Sequence, residues 1–391
     1  MRGAFAGGSR RLPADAPSGR IPRFPAAAIR AMTRFERDNV RSMSGYVPGE
    51  QPADGRTVKL NTNENPFPPS PAVAEALRGF DVAALRRYPP PFADGFRDAA
   101  ARVHGVERDW IIATNGGDEL LRLAVTTYLE PGRPLATTAP SYSLYPVLAA
   151  VQECPTVAFP LGEDFTLPED LAARVNASGA GLFCLVNPHA PSGRLWPIEA
   201  IDALAGALEG VFLLDEAYVD FVDPARGHDA VALLRRHDNL LLLRSLSKGY
   251  ALAGLRFGYG LGCPELVAPM LTKTRDSYNV DLLAQRLATA AIEDRAWGEA
   301  NWRAVREERG RLTEALRALG CAVPDSETNF VLARVPAGAE ARAVQQGLRE
   351  AGLLVRWFDA DGLRDRLRIT VGTAEENDRL LATLRTLLPA P

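Results

Sequence analysis

Disulfide chemistry has little to work with in this sequence. Its four cysteines, Cys154, Cys184, Cys263 and Cys321, are scattered over 391 residues without a Cys-x-x-Cys pair. That excludes a disulfide framework and reads as small buried thiols in a reducing, cytoplasmic compartment. Histidine is equally sparse, four in all and dispersed, so no metal cluster is expected. The formal net charge is only −3, which gives no field to draw in nucleic acid or an anionic membrane. No apolar run is long enough to cross a bilayer. What remains is an ordinary globular composition, 47 % hydrophobic and 24 % charged, with length for a large lobe and a small one.

Residues 1–35 differ from the rest. Arg2, Arg10, Arg11, Arg20, Arg23, Arg30 and Arg34 face a single acid before Glu36, among much Ala, Gly and Pro. An Arg-rich, acid-poor leader fits a transit peptide. We read it as a disordered extension, with Met32 a candidate start, because composition alone is weak support for targeting.

The body alternates short apolar runs with amphipathic stretches. Trp110–Thr114, Arg133–Thr138, Gly181–Val186, Val211–Leu214 and Leu240–Leu243 read as strands, with helices over Leu120–Leu129 and Pro197–Leu208. Runs without polar alternation fit strands buried on both faces of a mainly parallel sheet. This predicts an α/β domain over 72–280. One long helical stretch, Leu282 to Leu319, then leads into Asn329–Arg334, Ala339–Ala351, Leu354–Trp357 and Arg366–Val371. Residues 36–71 and 281–391 are expected to form a smaller α+β domain, with Met43–Pro69 packed on it or across the cleft.

Polar residues collect where the apolar runs stop. Asn115-Gly116-Gly117-Asp118, Asn187, Asp215 with Tyr218, and Ser245 to Lys248 each follow one. In an open parallel sheet, ligands bind beyond the carboxyl ends of the strands. Each of these alone is an ordinary turn, and Lys248 alone is a surface lysine; their coincidence is the signal. The Asn115–Glu119 junction suits a single phosphate monoester at a helix N-terminus, being neither a Walker loop nor a dinucleotide fingerprint. Lysine can form an imine with an aldehyde once its pKa is lowered. Ser245, Ser247 and Arg256 can close the same anion site.

Together these residues resemble the fold-type I aminotransferases that depend on pyridoxal 5′-phosphate (PLP), and within them the enzymes acting on histidinol phosphate. The resemblance runs from about Gly45 to Thr373. It rests on Leu60-Asn61-Thr62-Asn63-Glu64-Asn65-Pro66, Arg87-Tyr88-Pro89, Pro140-Ser141-Tyr142, Asn187-Pro188-His189-Ala190-Pro191-Ser192-Gly193, Asp215-Glu216-Ala217-Tyr218, Ser245-Leu246-Ser247-Lys248 and Leu367-Arg368-Ile369-Thr370-Val371-Gly372-Thr373. It implies a Schiff base between PLP and Lys248, which also moves the substrate proton, and Asp215 on the pyridine nitrogen. It implies Asn187 and Tyr218 on the ring oxygen and Tyr142 against the ring face. The amides of Gly117 and Asp118, with Ser245, Ser247 and Arg256, would hold the cofactor phosphate. Tyr88 would reach that phosphate in the other subunit of a homodimer. His189 and Ala190 depart from the usual Asn-Asn of that wall; His189 is read as a loop residue rather than a base.

For the substrate, Arg368 is the implied anion ligand, with glutamate as amino donor. Histidinol phosphate carries nearly two negative charges, and Arg356 and Tyr46 match the positions that would add donors for them. Asn63 and Asn329 are expected in the same pocket. The expected reaction is histidinol phosphate plus 2-oxoglutarate to imidazole-acetol phosphate plus glutamate. An aromatic or broad-specificity aminotransferase and a threonine-phosphate decarboxylase remain alternatives on the same scaffold. A non-catalytic PLP-binding regulator is a more distant one, since residues 1–35 show no helix-turn-helix.

Overall fold

A computed structural model describes residues 35–52 and 55–389. The leader read for residues 1–35 lies, apart from Phe35, outside the described residues. Residues up to Ser42 form a unit of their own, whose described part holds the short helix Asp38–Ser42. Met43–Pro391 is one compact unit, described below.

Its strands are, in chain order, β1 (Val58–Leu60), β2 (Ile111–Thr114), β3 (Leu135–Ala139), β4 (Thr156–Pro160), β5 (Leu182–Val186), β6 (Val211–Asp215), β7 (Leu240–Ser245), β8 (Gly258–Leu261), β9 (Phe330–Arg334), β10 (Leu353–Trp357) and β11 (Arg366–Thr370). Seven form one sheet in the order β2-β8-β7-β6-β5-β3-β4, parallel except for β8. The four others form a second sheet, β1-β10-β11-β9. The architecture is thus the expected α/β fold with a mainly parallel sheet.

The all-apolar runs sit in the middle of the large sheet, where both faces are covered; every residue of β5 is buried, and β6 and β7 nearly so. β4 escaped the sequence reading because it is an edge strand with a mostly exposed pattern ending in proline. β8 escaped because Gly258-Tyr259-Gly260-Leu261 looks like a turn. Its glycines are there for packing. A Cβ on Gly260 would stand 2.9 Å from Leu120 of the helix Gly117–Tyr128, and one on Gly258 would stand 2.7 Å from the Gly116 backbone.

The stretch read as one helix, Leu282 to Leu319, is two: Leu282–Glu293 and Arg295–Ala318. Asp294 leaves the helical conformation (φ −87°, ψ 60°) and its side chain accepts from the Trp297 amide, so it caps the second helix. Met43–Pro69 supplies β1, which pairs parallel with β10. A closing helix, Ala374–Leu387, begins with a capping box between Thr373 and Glu376.

The helix Arg295–Ala318 ties the two sheets together through one buried arginine. Arg309 donates to Phe221 O at 3.2 Å, Thr328 O at 2.8 Å and Glu327 at 3.0 Å. Glu327 in turn accepts from the Asp223 amide and Arg226, both at 3.0 Å. Removing one partner of such a pair leaves a buried charge uncompensated. We expect Arg309→Met to lower unfolding stability by about 3 kcal/mol, read as a lower urea midpoint; an unchanged midpoint would show the pair to be dispensable.

Candidate active site

Five parallel strands, β2, β3, β5, β6 and β7, end at one edge of the large sheet. β8 runs the other way, so what precedes it also arrives there. Gly258 pairs with both Thr114 and Ser245, the last residues of β2 and β7, and Arg256 lies two residues upstream. The result is a cleft of about 530 Å³ that also takes side chains from the small sheet. Cavities of about 720 and 820 Å³ lie elsewhere. Their charged walls are largely paired, Arg244 and His228 with Glu216, and Arg226 with Glu327.

Lys248 projects into the cleft from the loop after β7, half-buried, and its Nζ donates to the Thr62 carbonyl at 2.9 Å. Burial, aided by the positive charges of Arg368 and Arg256, brings its amine down to about 8. Asp215, the last residue of β6, is 5 % exposed. Its Oδ2 accepts from the Tyr145 hydroxyl at 2.8 Å and its Oδ1 from the Ala217 amide at 3.1 Å. Burial pushes this carboxyl up to about 6 in spite of those two donors. Tyr218 accepts at its hydroxyl from Asn63 Nδ2 at 2.9 Å.

One end of the cleft is built to receive an anion. The helix Gly117–Tyr128 starts there, preceded by Gly116 in the left-handed region (φ 78°). A side chain at Gly116 would be strained and would also meet the Arg256 guanidinium at 2.7 Å. The buried Ser245 and Ser247 and the half-exposed Arg256 line the same end, Arg256 resting 3.4 Å from Asp118. Tyr142 forms a wall, its hydroxyl donating to Asp118 at 3.2 Å and its ring 5.6 Å from Tyr145 at 89°.

The small sheet closes the other end. Arg356 and Arg368 are directly opposed across β10 and β11. The Arg368 guanidinium lies 5.3 Å from both Phe330 and Phe358, and Arg356 lies 5.4 Å from Phe358. Arg368 donates to Asn61 O at 3.0 Å while its Nε is buried without a partner. Burial and the like charge of Arg356 hold Arg368 below the usual guanidinium range. Tyr46 reaches the cleft from the segment before β1.

The structure therefore brings together Lys248, Asp215, Tyr218, Gly117, Asp118, Tyr142, Ser245, Ser247, Arg256, Tyr46, Asn63, Arg356 and Arg368. Three of the expected residues stand apart. Asn187 is fully buried and does not line the cleft, its Oδ1 accepting from the Trp196 amide at 2.9 Å and its Nδ2 donating to Trp196 O at 3.3 Å. Asn329 lies behind the wall, donating to Asn63 O at 2.9 Å. Tyr88 is 79 % exposed and stacks on Tyr278 at 4.4 Å. His189 is buried between Ser192 Oγ (2.7 Å) and Pro140 O (2.9 Å), and burial takes its imidazole down to about 4. It is a neutral tie between two loops.

Sequence reasoning missed four contributors. Thr62 and Asn61 act through carbonyls, which no side-chain pattern reveals. Tyr145 was signalled only by its place three residues after Tyr142, and Phe358 only by its place two residues after Arg356 on an extended chain.

Comparison with known proteins gives a consistent picture. The model of the aminotransferase class I and II family matches residues 56–384. Histidinol-phosphate aminotransferase 1 of Nostoc sp. is 44 % identical over 363 residues, 91 % of this chain and 99 % of its own. The histidinol-phosphate aminotransferase of Citrifermentans bemidjiense is 41 % identical over 354 residues, covering 90 % and 98 %. The crystal structure of the Sinorhizobium meliloti histidinol-phosphate aminotransferase, in complex with pyridoxal-5′-phosphate, matches with a TM-score of 0.84 at 28 % identity, covering 91 % and 98 %.

Proposed function

The chain belongs to the class I and II aminotransferase family, and from that premise we propose that it transfers the amino group of histidinol phosphate to 2-oxoglutarate. The products are imidazole-acetol phosphate and glutamate, a step of histidine biosynthesis, and the cofactor is PLP. The carrying observation is the convergence in one cleft of a lysine amine, a buried carboxylate, an anion seat and two opposed arginines.

The residues fit PLP on their own chemistry. The seat made by the Gly116–Gly117 turn, Ser245, Ser247 and Arg256 suits a phosphate monoester. Lys248 is an amine poised to capture an aldehyde, and Asp215 is a carboxylate to face a ring nitrogen. Bound there, PLP supplies an aldehyde and an electron-withdrawing ring. The chain's own groups do the rest. Lys248 Nζ takes and returns the substrate proton, a role suited to an amine near neutrality. Tyr218, oriented by Asn63, would hold the ring through its hydroxyl, and Tyr142 would pack against it. Arg368 with Arg356, and the Tyr46 hydroxyl, hold the substrate phosphate; Arg368 alone holds glutamate's carboxylate.

The reading extends to the assembly. Tyr88 and Tyr278 stack in the open, and Leu77, Val82, Leu85 and Phe92, near Tyr88 in sequence, are exposed as well, which supports a homodimer in which Tyr88 reaches the partner's phosphate seat. The division into a PLP-binding domain over 72–280 and a smaller one from 36–71 and 281–391 is part of the same proposal, supported by a large sheet drawn wholly from the first range and a small sheet drawn from the second. Four unpaired cysteines support a cytoplasmic site of action. Among the described residues no helix is long and apolar enough to cross a membrane.

The test is to titrate PLP-loaded protein separately with histidinol phosphate, phenylalanine and threonine phosphate. Histidinol phosphate alone should bleach the visible band and yield one equivalent of imidazole-acetol phosphate. An equal response to phenylalanine would move the reading to a broad-specificity enzyme. Release of CO2 from threonine phosphate without a keto acid would move it to a decarboxylase.

A further inference from the structure

The first turn of the helix Leu144–Val151 carries a phenol that no motif singles out. Tyr145 is 1 % exposed and points at the one carboxylate of the cleft floor. Among the described hydrogen bonds, each oxygen of Asp215 has one donor, and Tyr145 supplies the only side chain of the two. The Tyr145 ring meets Tyr142 edge-on. The wall of the cleft, Tyr142, thus packs directly on the partner of its carboxylate, Tyr145, which stands in the first turn of the helix that follows.

We propose that Tyr145 is a positioning residue for transamination, fixing the Asp215 carboxylate and keeping it ionised so that the ring nitrogen of PLP retains its proton. The proposal rests on the reading of Asp215 as that nitrogen's partner. The surroundings make the help necessary. Asp215 is desolvated, and the negative charges of Asp118, on the helix Gly117–Tyr128, and of adjacent Glu216 act against its ionisation. The remaining titratable groups facing it, Cys184 on β5 and the phenols Tyr142 and Tyr218, are held neutral by burial. The carboxylate and the ring nitrogen would share one proton. Every hydrogen bond that favours the carboxylate sends that proton to the nitrogen, where its positive charge draws electrons from the reacting carbon.

Tyr145→Phe removes the hydroxyl and keeps the ring, so the core stays filled. In the cofactor-free protein with carboxyl-labelled aspartate, the Asp215 carbon signal, assigned against Asp215→Asn, should titrate about one pH unit higher in the variant, the tenfold worth of one hydrogen bond to a charge. In the loaded protein, the signal of 15N-labelled PLP should move from the pyridinium toward the pyridine position. The turnover number should fall about tenfold, with KM for histidinol phosphate held within about twofold, as expected for an interaction that matters only in the reaction. An Asp215 titration that does not move overturns the proposal, as does one that moves while the 15N signal stays put. A separate arm isolates the premise: a ring nitrogen still protonated in Asp215→Asn would overturn the reading of Asp215, and this inference with it, whatever Tyr145→Phe does.

Discussion

Replacing Lys248 by alanine should slow amino transfer from histidinol phosphate by about 10⁴-fold, the upper end of what a placed acid–base group contributes. On the proposed reading the amine has two tasks, holding the cofactor covalently and moving the substrate proton, and no other lysine or histidine lines the cleft. Its only described side-chain hydrogen bond is to the Thr62 carbonyl, so its removal costs the fold about 1 kcal/mol. The phosphate seat, made by other residues, still takes up PLP. The result is a folded, PLP-binding, inactive protein. Borohydride reduction followed by mass spectrometry should find the covalent adduct in the parent and none in Lys248→Ala. A variant that turned over at the parent rate would sink the mechanism.

The second large effect concerns which substrate is chosen. On the proposed reading Arg368 serves both substrates, whereas Arg356 adds its charge only to the grip on the phosphate dianion. Arg356→Gln should therefore raise KM for histidinol phosphate about 100-fold, the loss of a charge-assisted hydrogen bond of roughly 2–3 kcal/mol. The glutamate half-reaction should change by less than about threefold, since that loss applies to the phosphate alone. Arg368→Gln should damage both halves. The check is steady-state kinetics with each substrate varied in turn. Equal losses for the two substrates in Arg356→Gln would make it a packing residue of β10, and no loss would make it a solvated one.

The parallel core was legible because each central strand is wholly apolar and ends on a polar residue. Lys248, Asp215 and the Gly116–Gly117 turn could be read as a group, from their coincidence at the strand ends and from the family resemblance they carry together. β8 could not, since its glycines answer to a helix and a turn packed across it, a contact between segments about 140 residues apart. The same distance problem hid the Thr62 carbonyl, 186 residues from Lys248. Asn187 shows the opposite limit. It sits at a strand end as expected, yet the returning loop brings the Trp196 backbone to both ends of its amide. Residue type and position name the candidates; which hydrogen bonds each one spends depends on how the loops close. Tyr88 lies further still from a one-chain reading, because its proposed partner is in a second subunit.

Arg356 and Arg368 face each other across neighbouring antiparallel strands, an arrangement in which like charges weaken the ladder. The small sheet therefore carries a standing electrostatic strain whenever the cleft holds no anion. On the proposed reading, a dianion bridging the two guanidinia would turn that repulsion into a cross-strand staple. The consequence is thermodynamic linkage: heat resistance becomes a function of phosphate concentration, gaining about 2.7 kcal/mol at a hundredfold excess over Kd. A protein with this register is sturdiest when its substrate is plentiful, and the buffer anion chosen for its storage is a variable of its stability.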